Sequence, residues 1–518
     1  MVSPAGPSAL KGRGPRGEAH CKKEKTMQRR HFLELGLGSA AFASAGMARA
    51  TPVGMPKKWD ETHDFVVIGA GSGGLAAAAY AKDAGLDVVV LEKLSFVGGS
   101  SLICGGAWAT AGTDEQKAKG IEDSPKKYLE DMLATGQHQN DPELVKAMIA
   151  STRIAYEFVT KKIGVKPDTV DAASGMSVPR AHHFVPSNLI KGLYDYDKSK
   201  GVPFLMNTAA ERLVWDPETA AVAGVRATSK GKTLWIRAKK GVLIASGGFS
   251  RNPKLLKKYN PLMAAVDPEG GPGNTGDGLL MAQAYGADVL DTQYIKATFG
   301  YRPDPKKYGP HTLHGYYEGA ILVNGEGKRF VNESISYKLL SDAALKQKDV
   351  KAFEFFDEAV RVKMRDSTAK YRKLLGPLDN GGEVEYCLRG NTVEEVAQKA
   401  RIDPKVLRAT VDRYNDFARK GKDEDFGRTS LTSGYGKIFP LTEGPFYLYQ
   451  AKPRLIATYC GLRIDPKARV IDVFGEPIPH LYACGEAVGG VHGAAYMSGS
   501  AVGKAIGFGR IAALEVAK

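Results

Sequence analysis

The hydrophobic residues between positions 65 and 93 fall into three short runs of different character. Four apolar residues at 65–68 lead into the glycines Gly69, Gly71 and Gly74, and an alanine-rich stretch follows them. A second apolar run, rich in valine, then ends at Glu92. Short apolar runs of this kind predict strands, and the alanine-rich stretch between them predicts a helix. The order of the runs therefore predicts a strand–helix–strand unit.

The spacing Gly-x-Gly-x-x-Gly gives this unit a candidate chemistry. Gly69 permits a tight turn, Gly71 lets the backbone approach a pyrophosphate, and Gly74 lets the helix pack closely on the strand. The phosphates would lie at the helix N-terminus beside Ser72, where free N–H groups and the helix dipole favour negative charge. These positions are predicted to bind the phosphates of a ligand.

The acidic residue that ends the second strand completes the pattern. Glu92 would accept hydrogen bonds from ribose hydroxyls, and its charge disfavours a 2′-phosphate. Lys93 follows it and belongs to the same predicted site. Glycines with this spacing also occur in ordinary turns, but here strand, glycines, helix, strand and acid all agree. The segment therefore predicts that the chain binds an adenine dinucleotide, either NAD or FAD.

The rest of the chain alternates between helix-rich and strand-rich segments. Helical patterning covers residues 125–163, and a β-rich stretch covers residues 203–244. Between 291 and 457 the chain is richer in Lys, Tyr and Pro and has long amphipathic helical patterns, and a short strand at 481–483 then meets glycine again. This order predicts a nucleotide-binding domain that is interrupted by an inserted, largely helical domain.

The composition is that of a globular protein with more than one domain. The 518 residues are 43% hydrophobic and 25% charged, with a formal net charge of +15. Residues 1–50 hold nine Lys and Arg and three Glu, which leaves a net charge of +9 over the other 468 residues. No basic run with interleaved aromatic residues occurs there, so the charge favours a solvated basic surface over nucleic-acid binding. The five cysteines lack C-x-x-C spacing, so no metal site is predicted.

The first fifty residues have the pattern of an export signal. The pair Arg29-Arg30 precedes a short apolar stretch at 35–46, and the sequence Ala-Arg-Ala at 48–50 offers a cleavage site. Met27 stands where such a signal would begin, so the residues before it are interpreted as a mis-assigned extension. The apolar stretch is too short to span a bilayer. We therefore predict a twin-arginine signal and a periplasmic or otherwise exported protein.

Further glycine-rich motifs extend the dinucleotide prediction to the whole chain. They lie at 98–101 (Gly-Gly-Ser-Ser), 245–249 (Ala-Ser-Gly-Gly-Phe), 275–278 (Thr-Gly-Asp-Gly), 319–324 together with 328–333, and 483–486 (Ala-Cys-Gly-Glu). Together with the first fingerprint, they resemble the flavoprotein group of soluble fumarate reductases, succinate dehydrogenase flavoprotein subunits and 3-ketosteroid dehydrogenases. The resemblance covers residues 62–516, and it implies that the dinucleotide is FAD.

The resemblance also implies an α/β fold of the glutathione-reductase type. A Rossmann-like FAD-binding domain would span 60–292 and 458–518, with an α+β capping domain at 293–457. The FAD would be noncovalent, because a histidine is missing from the position at which this fold usually attaches the flavin. Besides the first fingerprint, the residues implied to bind the cofactor are Gly99, Ser100, Ser101, Gly105, Gly106, Ala245, Ser246, Gly247, Asp277, Gly485, Glu486, Ser500, Ala501 and Val502.

The substrate-binding positions of the fumarate reductases are altered in this chain. The arginine that delivers the proton in that family becomes Tyr337, four residues after an Asn-Glu pair, and a second substrate arginine becomes Tyr496. The two substrate histidines of the family become Thr298 and either Ala457 or Thr458. A neutral tyrosine hydroxyl cannot hold two carboxylates in a dry site as arginines do. A dicarboxylate such as fumarate is therefore a poor candidate substrate.

The two tyrosines suit a ketone, because a hydroxyl can donate to a carbonyl oxygen as enolate charge develops. The sequences around them resemble those of 3-ketosteroid dehydrogenases, and Tyr-x-Ser-Gly at 496–499 looks closest to the Δ4-(5α) branch. A third tyrosine used by the Δ1 branch has no clear match, which leaves the regiochemistry open. We predict that Tyr496, helped by Ser498, polarises the carbonyl of a cyclic ketone. Tyr337 would transfer the α-proton, and the β-hydride would pass to the flavin.

Two other functions stay open at this point. One is an exported enoate reductase of the fumarate or urocanate reductase type, which would run the same hydride step backwards on a substrate that is not a dicarboxylate. The chain has no C-x-x-C-H haem motif, which favours oxidation, with electrons leaving to a separate quinone, cytochrome or oxygen acceptor. The other is a non-catalytic flavin-binding role, which predicts no bleaching of the flavin by any substrate. Neither nucleic acid nor stable membrane insertion is expected.

Overall fold

The structure, a computed structural model, describes residues 53–304 and 312–518. The predicted export signal at 1–50 lies outside the described residues. Among the helices that the structure describes, none has both the length and the apolar character that a membrane crossing requires. The described residues also contain no group of three or more His, Cys, Asp or Glu side chains that could hold a metal ion.

Eighteen strands form four sheets within the described residues. They are β1 (Glu61–Ile68), β2 (Val88–Glu92), β3 (Ala107–Ala109), β4 (Thr169–Asp171), β5 (Ala181–His183), β6 (Phe204–Met206), β7 (Thr208–Asp216), β8 (Ala221–Ser229), β9 (Lys232–Ile244), β10 (Val289–Leu290), β11 (Thr298–Tyr301), β12 (Ile321–Asn324), β13 (Ala352–Phe356), β14 (Cys387–Gly390), β15 (Phe446–Arg454), β16 (Gly461–Leu462), β17 (Arg469–Ile471) and β18 (Pro477–Ala483).

Fourteen α-helices accompany these strands in the described part of the chain. They are α1 (Ser72–Asp83), α2 (Ser100–Ile103), α3 (Asp114–Ala118), α4 (Pro125–Thr135), α5 (Pro142–Glu157), α6 (Pro186–Ser199), α7 (Pro253–Tyr259), α8 (Asp277–Gln283), α9 (Tyr337–Leu345), α10 (Glu358–Ser367), α11 (Ala369–Leu375), α12 (Val393–Ala400), α13 (Pro404–Lys420) and α14 (Ser500–Val516). Short 3₁₀ or π turns lie at Phe158–Ile163, Met263–Ala265, Thr292–Tyr294, Gly315–Tyr317, Lys348–Val350, Gly376–Asn380 and Gly485–Ala487.

The largest sheet has eight strands and contains the predicted strand–helix–strand unit. Its strands lie in the order β17-β18-β9-β1-β2-β6, and β8 pairs with both β9 and β7. β1 pairs in parallel with β2 and β9, and β9 pairs in parallel with β18. The apolar runs at 65–68 and 88–91 are buried, as expected for central parallel strands. The predicted α/β fold with a parallel sheet is confirmed.

Two helices rich in small residues, α1 and α14, pack closely against each other beside this sheet. A Cβ on Gly73 of α1 would lie 2.9 Å from the carbonyl oxygen of Ala505 in α14, and a Cβ on Gly509 would overlap the backbone of α1. Only residues without a side chain permit so close a crossing. The crossing brings the N-termini of both helices to one cleft.

Residues 298–454 build a second sheet with its own core. β15 pairs antiparallel with β11, β13 and β14, and β13 also pairs with β12. Its buried apolar side chains form one cluster, and those of residues 65–297 and 455–516 form another. Among these buried residues Tyr496 is the exception, since it lies in the C-terminal part of the chain but packs into the cluster of the second sheet. The exact domain boundaries stay predictions.

Candidate active site

A cleft runs along the carboxyl ends of β1, β2 and β9 and reaches the N-termini of α1 and α14. Ligands of parallel α/β sheets bind at this edge. The cleft has an empty volume of about 1350 Å³, which includes its open mouth. Sixteen of the predicted cofactor-binding residues line it, namely Gly69, Gly71, Ser72, Glu92, Lys93, Gly99, Ser100, Ser101, Ala245, Ser246, Gly247, Asp277, Gly485, Glu486, Ala501 and Val502.

Four predicted cofactor-binding residues lie outside the lining of this cleft. A Cβ on Gly74 or on Gly106 would overlap a backbone carbonyl oxygen, so both glycines are required by packing. The buried hydroxyl of Ser500 donates to the carbonyl oxygen of Met497 at 2.6 Å. Gly105 is exposed, and a Cβ there would meet no atom within 4 Å. The structure therefore gives the first three a structural role next to the cleft and Gly105 none.

The glycines that line the cleft leave room for a ligand against the backbone. At Gly71 the nearest atom to a Cβ would be 3.9 Å away, and at Gly99 no atom would lie within 4 Å. The N-cap residue of the helix that begins at Ser72 provides no side-chain cap. The N–H of Ser72 donates to Ser101 Oγ at 3.3 Å, so an anion would meet the N–H groups that follow it in the first turn. Open backbone beside a helix N-terminus fits the diphosphate of a dinucleotide.

The charged residues at the end of β2 are fixed by hydrogen bonds. The Glu92 carboxylate accepts from the backbone N–H groups of Ala70 and Leu94, both at 2.9 Å. Lys93 Nζ donates to Asp277 Oδ2 at 2.6 Å, which ties β2 to the start of α8. These contacts hold both predicted carboxylates at the rim of the cleft.

Glu486 lines the same cleft and is held there by residues from two other segments. Its Oε1 accepts from the backbone N–H of Thr458 at 2.9 Å. The Asn274 amide donates to its two carboxylate oxygens at 3.1 Å and lines the cleft as well. Sequence reasoning missed Asn274, although the position lies directly before the motif at 275–278. Glu486 is thus oriented for the hydroxyl groups of a bound cofactor.

The three residues predicted to be catalytic lie together where the two hydrophobic cores meet. Tyr337 is the first residue of α9, and Tyr496 precedes α14. Their ring centroids are 6.0 Å apart, and Ser498 Oγ lies 3.5 Å from the Tyr337 hydroxyl. Both tyrosines are buried, at 7% exposure each. Residues 159 positions apart in the sequence therefore form one cluster.

Tyr496 is placed to act as a hydrogen-bond donor. Its hydroxyl oxygen accepts from the backbone N–H of Gly499 at 2.9 Å, at the N-terminus of α14. Burial raises the pKa of Tyr496 to about 12, although backbone N–H groups oppose that rise. The hydroxyl therefore keeps its proton at neutral pH, and that proton is available to a carbonyl oxygen.

Tyr337 does not have the lowered pKa that a ready-made base needs. Burial raises its pKa well above the usual 10, the charge of Tyr496 raises it further, and the hydrogen bond from Ser498 lowers it. The phenol is consequently protonated at neutral pH in the unliganded protein. A role as proton acceptor requires that Tyr337 lose this proton first.

Sequence reasoning missed Tyr459 and Lys338, which complete the cluster. The Tyr459 ring stacks on that of Tyr496, with centroids 4.5 Å apart and planes 13° apart. Tyr459 has a φ of +53°, a strained value for a bulky residue and one that occurs more often at functional sites. Lys338 Nζ lies 4.6 Å over the same ring. The signal in the sequence was a lysine directly after Tyr337 in an otherwise apolar part of α9.

Two histidine rings pack against the tyrosines. The ring of His314 stacks on Tyr337 with centroids 5.4 Å apart, and His492 meets Tyr496 edge-on at 5.2 Å. Burial lowers the pKa of His314 to about 3 and that of His492 well below 6.5. Both rings are neutral at physiological pH, so neither can replace a cationic clamp for a dicarboxylate.

The comparison with known families accounts for the cleft. A family model described as "FAD binding domain" matches residues 64–502. The chain belongs to this family. Its cofactor is FAD, and the residues around the cleft fit that cofactor.

Individual relatives are oxidoreductases that act on carbon–carbon bonds. The chain is 34% identical over 464 residues to a fumarate reductase (cytochrome) from Shewanella frigidimarina, which covers 88% of this chain and 77% of the relative. It is 29% identical over 549 aligned residues to a 4-oxocyclohexanecarboxylate 2-dehydrogenase from Sinomonas cyclohexanicum, which covers 90% of this chain and 94% of the relative. These comparisons confirm the predicted membership of the fumarate reductase family and the predicted class of FAD-dependent oxidoreductase.

A solved structure shows the same overall architecture. The 3-ketosteroid-Δ4-(5α)-dehydrogenase from Rhodococcus jostii RHA1, in complex with 4-androstene-3,17-dione, matches with a TM-score of 0.74 at 27% identity. The match covers 90% of this chain and 99% of that chain. The two chains therefore share their overall fold over nearly their whole length.

Proposed function

We propose that the protein is a dehydrogenase with noncovalent FAD that desaturates a cyclic ketone. The observation that carries this proposal is the convergence of Tyr337, Tyr496 and Ser498 at the meeting point of the two cores. Of the described residues in this cluster, none is an arginine, and the nearby histidines are neutral. Such a site offers neutral hydrogen-bond donors to a carbonyl group and no clamp for two carboxylates.

The proposed chemistry divides the work between two tyrosines. Tyr496 donates a hydrogen bond to the ketone oxygen and stabilises the enolate charge that develops there. Tyr337, oriented by Ser498, receives the α-proton after it has lost its own proton. Bound FAD supplies the acceptor for the hydride that leaves the β-carbon, so one C=C bond forms as two C–H bonds break. A separate quinone, cytochrome or oxygen acceptor would take up the electrons.

The names of two relatives support a ketone. The matched Rhodococcus enzyme is a ketosteroid dehydrogenase, and the Sinomonas relative is named for an oxo-substituted cyclohexane ring. A second candidate is an enoate reductase, favoured by the 34% identity to a fumarate reductase. It would use the same site in the opposite direction on a substrate other than fumarate. We also retain export by the twin-arginine route as part of the proposal.

The decisive experiment follows flavin absorbance anaerobically in both directions. Cyclic ketones should bleach the oxidised enzyme, and Tyr337→Phe and Tyr496→Phe should each slow bleaching at least about a hundredfold. Because Tyr337 must lose a proton, the rate at saturating ketone should rise with pH through the alkaline range. Reoxidation of the reduced enzyme by enoates, without bleaching by ketones, would favour the reductase.

A matched control is Tyr447→Phe, which removes the hydroxyl of a buried tyrosine of the second core that is not part of the cluster. That hydroxyl donates to Glu358 at 2.7 Å. The control should keep the wild-type rate of bleaching. Wild-type rates in both Tyr337→Phe and Tyr496→Phe would overturn the proposal.

A further inference from the structure

Lys338 is a buried amine without a counter-ion. Its side chain belongs to a residue that is 1% exposed, and Nζ donates to the backbone carbonyl oxygen of Lys296 at 3.0 Å. Within the described part of the chain, no carboxylate lies within ion-pair distance of Nζ. The two acids that influence it, Glu486 and Asp342, are bound by other groups: Asp342 pairs with the Lys296 side chain, and Glu486 accepts from Asn274.

The amine lies on the side of α9 that faces the tyrosine cluster. Nζ is 4.6 Å from the centre of the Tyr459 ring and 6.0 Å from that of Tyr337. Thr298 follows the Lys296 carbonyl by two residues, is 2% exposed, and its hydroxyl has no hydrogen-bond partner among the described residues. A buried amine thus lies beside the tyrosines of the proposed ketone site, and a free buried hydroxyl follows its backbone partner by two residues.

An unpaired ammonium group is costly to bury, and a carboxylate bound beside it offsets part of that cost. Lysine presents a compact point charge, which suits one carboxylate rather than the two of fumarate. The tyrosines meanwhile offer neutral donors for a carbonyl oxygen. The cluster therefore has separate places for a ketone and for one anionic group.

We propose, as a refinement that rests on the proposed function, that the substrate is a cyclic ketone carrying a single carboxylate, which Lys338 binds. Lys338 is then a specificity-determining residue. The hydroxyl of Thr298 supplies a second, weaker donor to the same carboxylate. Neutral ketones of equal size bind less tightly because they leave the amine unpaired.

This arrangement makes binding depend on pH. Burial lowers the pKa of Lys338 to about 7 in the unliganded site, Glu486 and Asp342 raise it, and Lys296 lowers it. His492, Tyr337 and Tyr459 also face the amine and are neutral at this pH. A carboxylate binds only the protonated amine, so its affinity should be highest below about pH 7 and fall about tenfold per unit above it. Binding above that pH should take up a proton from the solution.

The experiment compares 4-oxocyclohexanecarboxylate with its methyl ester and with cyclohexanone on the FAD-loaded enzyme. The wild type should prefer the acid, and Lys338→Met should lower kcat/KM for the acid about a hundredfold with little change for the neutral ketones. Lys338→Arg should restore part of the preference, and Thr298→Val should reduce it less than tenfold. Calorimetry in two buffers of different ionisation enthalpy should show proton uptake above pH 7 in the wild type and none in Lys338→Met.

The matched control is Lys296→Met, which removes a neighbouring lysine side chain but keeps the carbonyl group that Lys338 binds. It should keep the preference for the acid. If no ketone bleaches the flavin of the wild type, the proposed function fails. If neutral ketones and the acid serve equally well, or if Lys338→Met leaves their ratio and the proton uptake unchanged, the substrate assignment fails while the proposed function stands.

Discussion

The two halves of the candidate site are built in different ways. The cofactor cleft is made mainly of backbone: its critical positions are glycines, such as Gly71 and Gly99, where open space lies against the main chain. The substrate cluster is made of large side chains: Tyr337 and Lys338 are buried at the junction of two cores, and Tyr459 is partly buried there. The cofactor cleft therefore depends on positions that have no side chain, whereas the substrate cluster depends on which polar groups are buried.

This difference decides which changes each half tolerates. Added volume disrupts the cofactor half, because a methyl group at Gly71 or Gly99 would fill space that is open to the cofactor, and one at Gly74 would overlap the backbone next to the cleft. In the cluster, volume can be conserved while the chemistry changes, since burial sets the proton affinity of each hydroxyl and amine. The following predictions test this contrast, beginning with the largest effect.

Gly74→Ala should abolish FAD binding and destabilise the fold by about 4 kcal/mol, because the new Cβ overlaps the carbonyl oxygen of Gly69. The measurement is the ratio of flavin absorbance to protein absorbance in the purified variant. Gly376→Ala is the matched control, since a Cβ there meets no atom within 4 Å and φ is −56°. It should bind FAD normally and be slightly more stable. A full flavin content in purified Gly74→Ala would contradict the expectation that the cofactor half cannot tolerate added volume.

Arg329→Met should destabilise the part of the chain around the second core by about 3 kcal/mol. Arg329 binds Glu333 at 2.7 Å and Asp423 at 2.8 Å, and both carboxylates are fully buried. Burial alone would raise the pKa of Asp423, but Arg329 lowers it. The stabilisation is thus present above the unfolded pKa of about 4 and lost as pH falls through the folded pKa.

The free energy of unfolding, measured against urea, should therefore differ more between Arg329→Met and the wild type at pH 7 than at pH 4. Arg365→Met is the control, because this partly exposed arginine pairs with Asp366 and Asp379 near the surface. Its effect on the free energy of unfolding should be much smaller than that of Arg329→Met, because solvent screens these exposed pairs. If Arg329→Met and Arg365→Met lowered the free energy of unfolding equally, burial of the ion pair would not determine the size of the loss.

Asn274→Ala should weaken FAD binding about tenfold, or about 1.4 kcal/mol, because Glu486 loses a side-chain donor. Titration of the apoprotein with FAD, followed by flavin fluorescence, measures the Kd. Asn415→Ala removes a buried amide of the second core that binds Leu441 at 2.9 Å. Asn415→Ala should lower the stability of the protein and leave the Kd for FAD unchanged. A weaker Kd in this variant would contradict the separation of the cofactor cleft from the second core.

Asp197→Asn should raise stability slightly at neutral pH, by about 1 kcal/mol. Asp197 lies in α6, is fully buried, and neither carboxylate oxygen has a hydrogen-bond partner among the described residues. Burial raises its pKa to about 9. The cost of keeping the acid protonated grows as pH rises from about 4 towards 9, so the gain should be larger at pH 8 than at pH 5. If the stability gain of Asp197→Asn did not change with pH, it would not come from the cost of keeping Asp197 protonated.

The same contrast explains what the sequence could predict. Gly69, Gly71 and Gly74 act within one short unit, so their spacing alone indicated a strand, a helix and a dinucleotide site. Local patterns of this kind predicted the α/β unit and an adenine dinucleotide, whereas the choice of FAD over NAD came from the further glycine motifs and the family that they resemble. The places of Tyr337 and Tyr496 came from the resemblance to a family.

Lys338 and Tyr459 could not be found in this way, because 121 residues separate them in the sequence and only the fold brings them together. The sequence also could not show that the pKa of Tyr337 is raised, since the rise comes from burial at the junction of the two cores. Asn274 was missed for a similar reason: its importance comes from Glu486, which lies far along the chain.

The position of β18 and α14 has a consequence for how the protein matures on the ribosome. β18 pairs with β9 inside the main sheet, α14 packs on α1, and Glu486 stands between them in the sequence. A nascent chain that has made only the fingerprint glycines lacks one wall of the cleft. FAD can therefore be captured only late in synthesis, and chains that terminate before β18 should emerge without flavin.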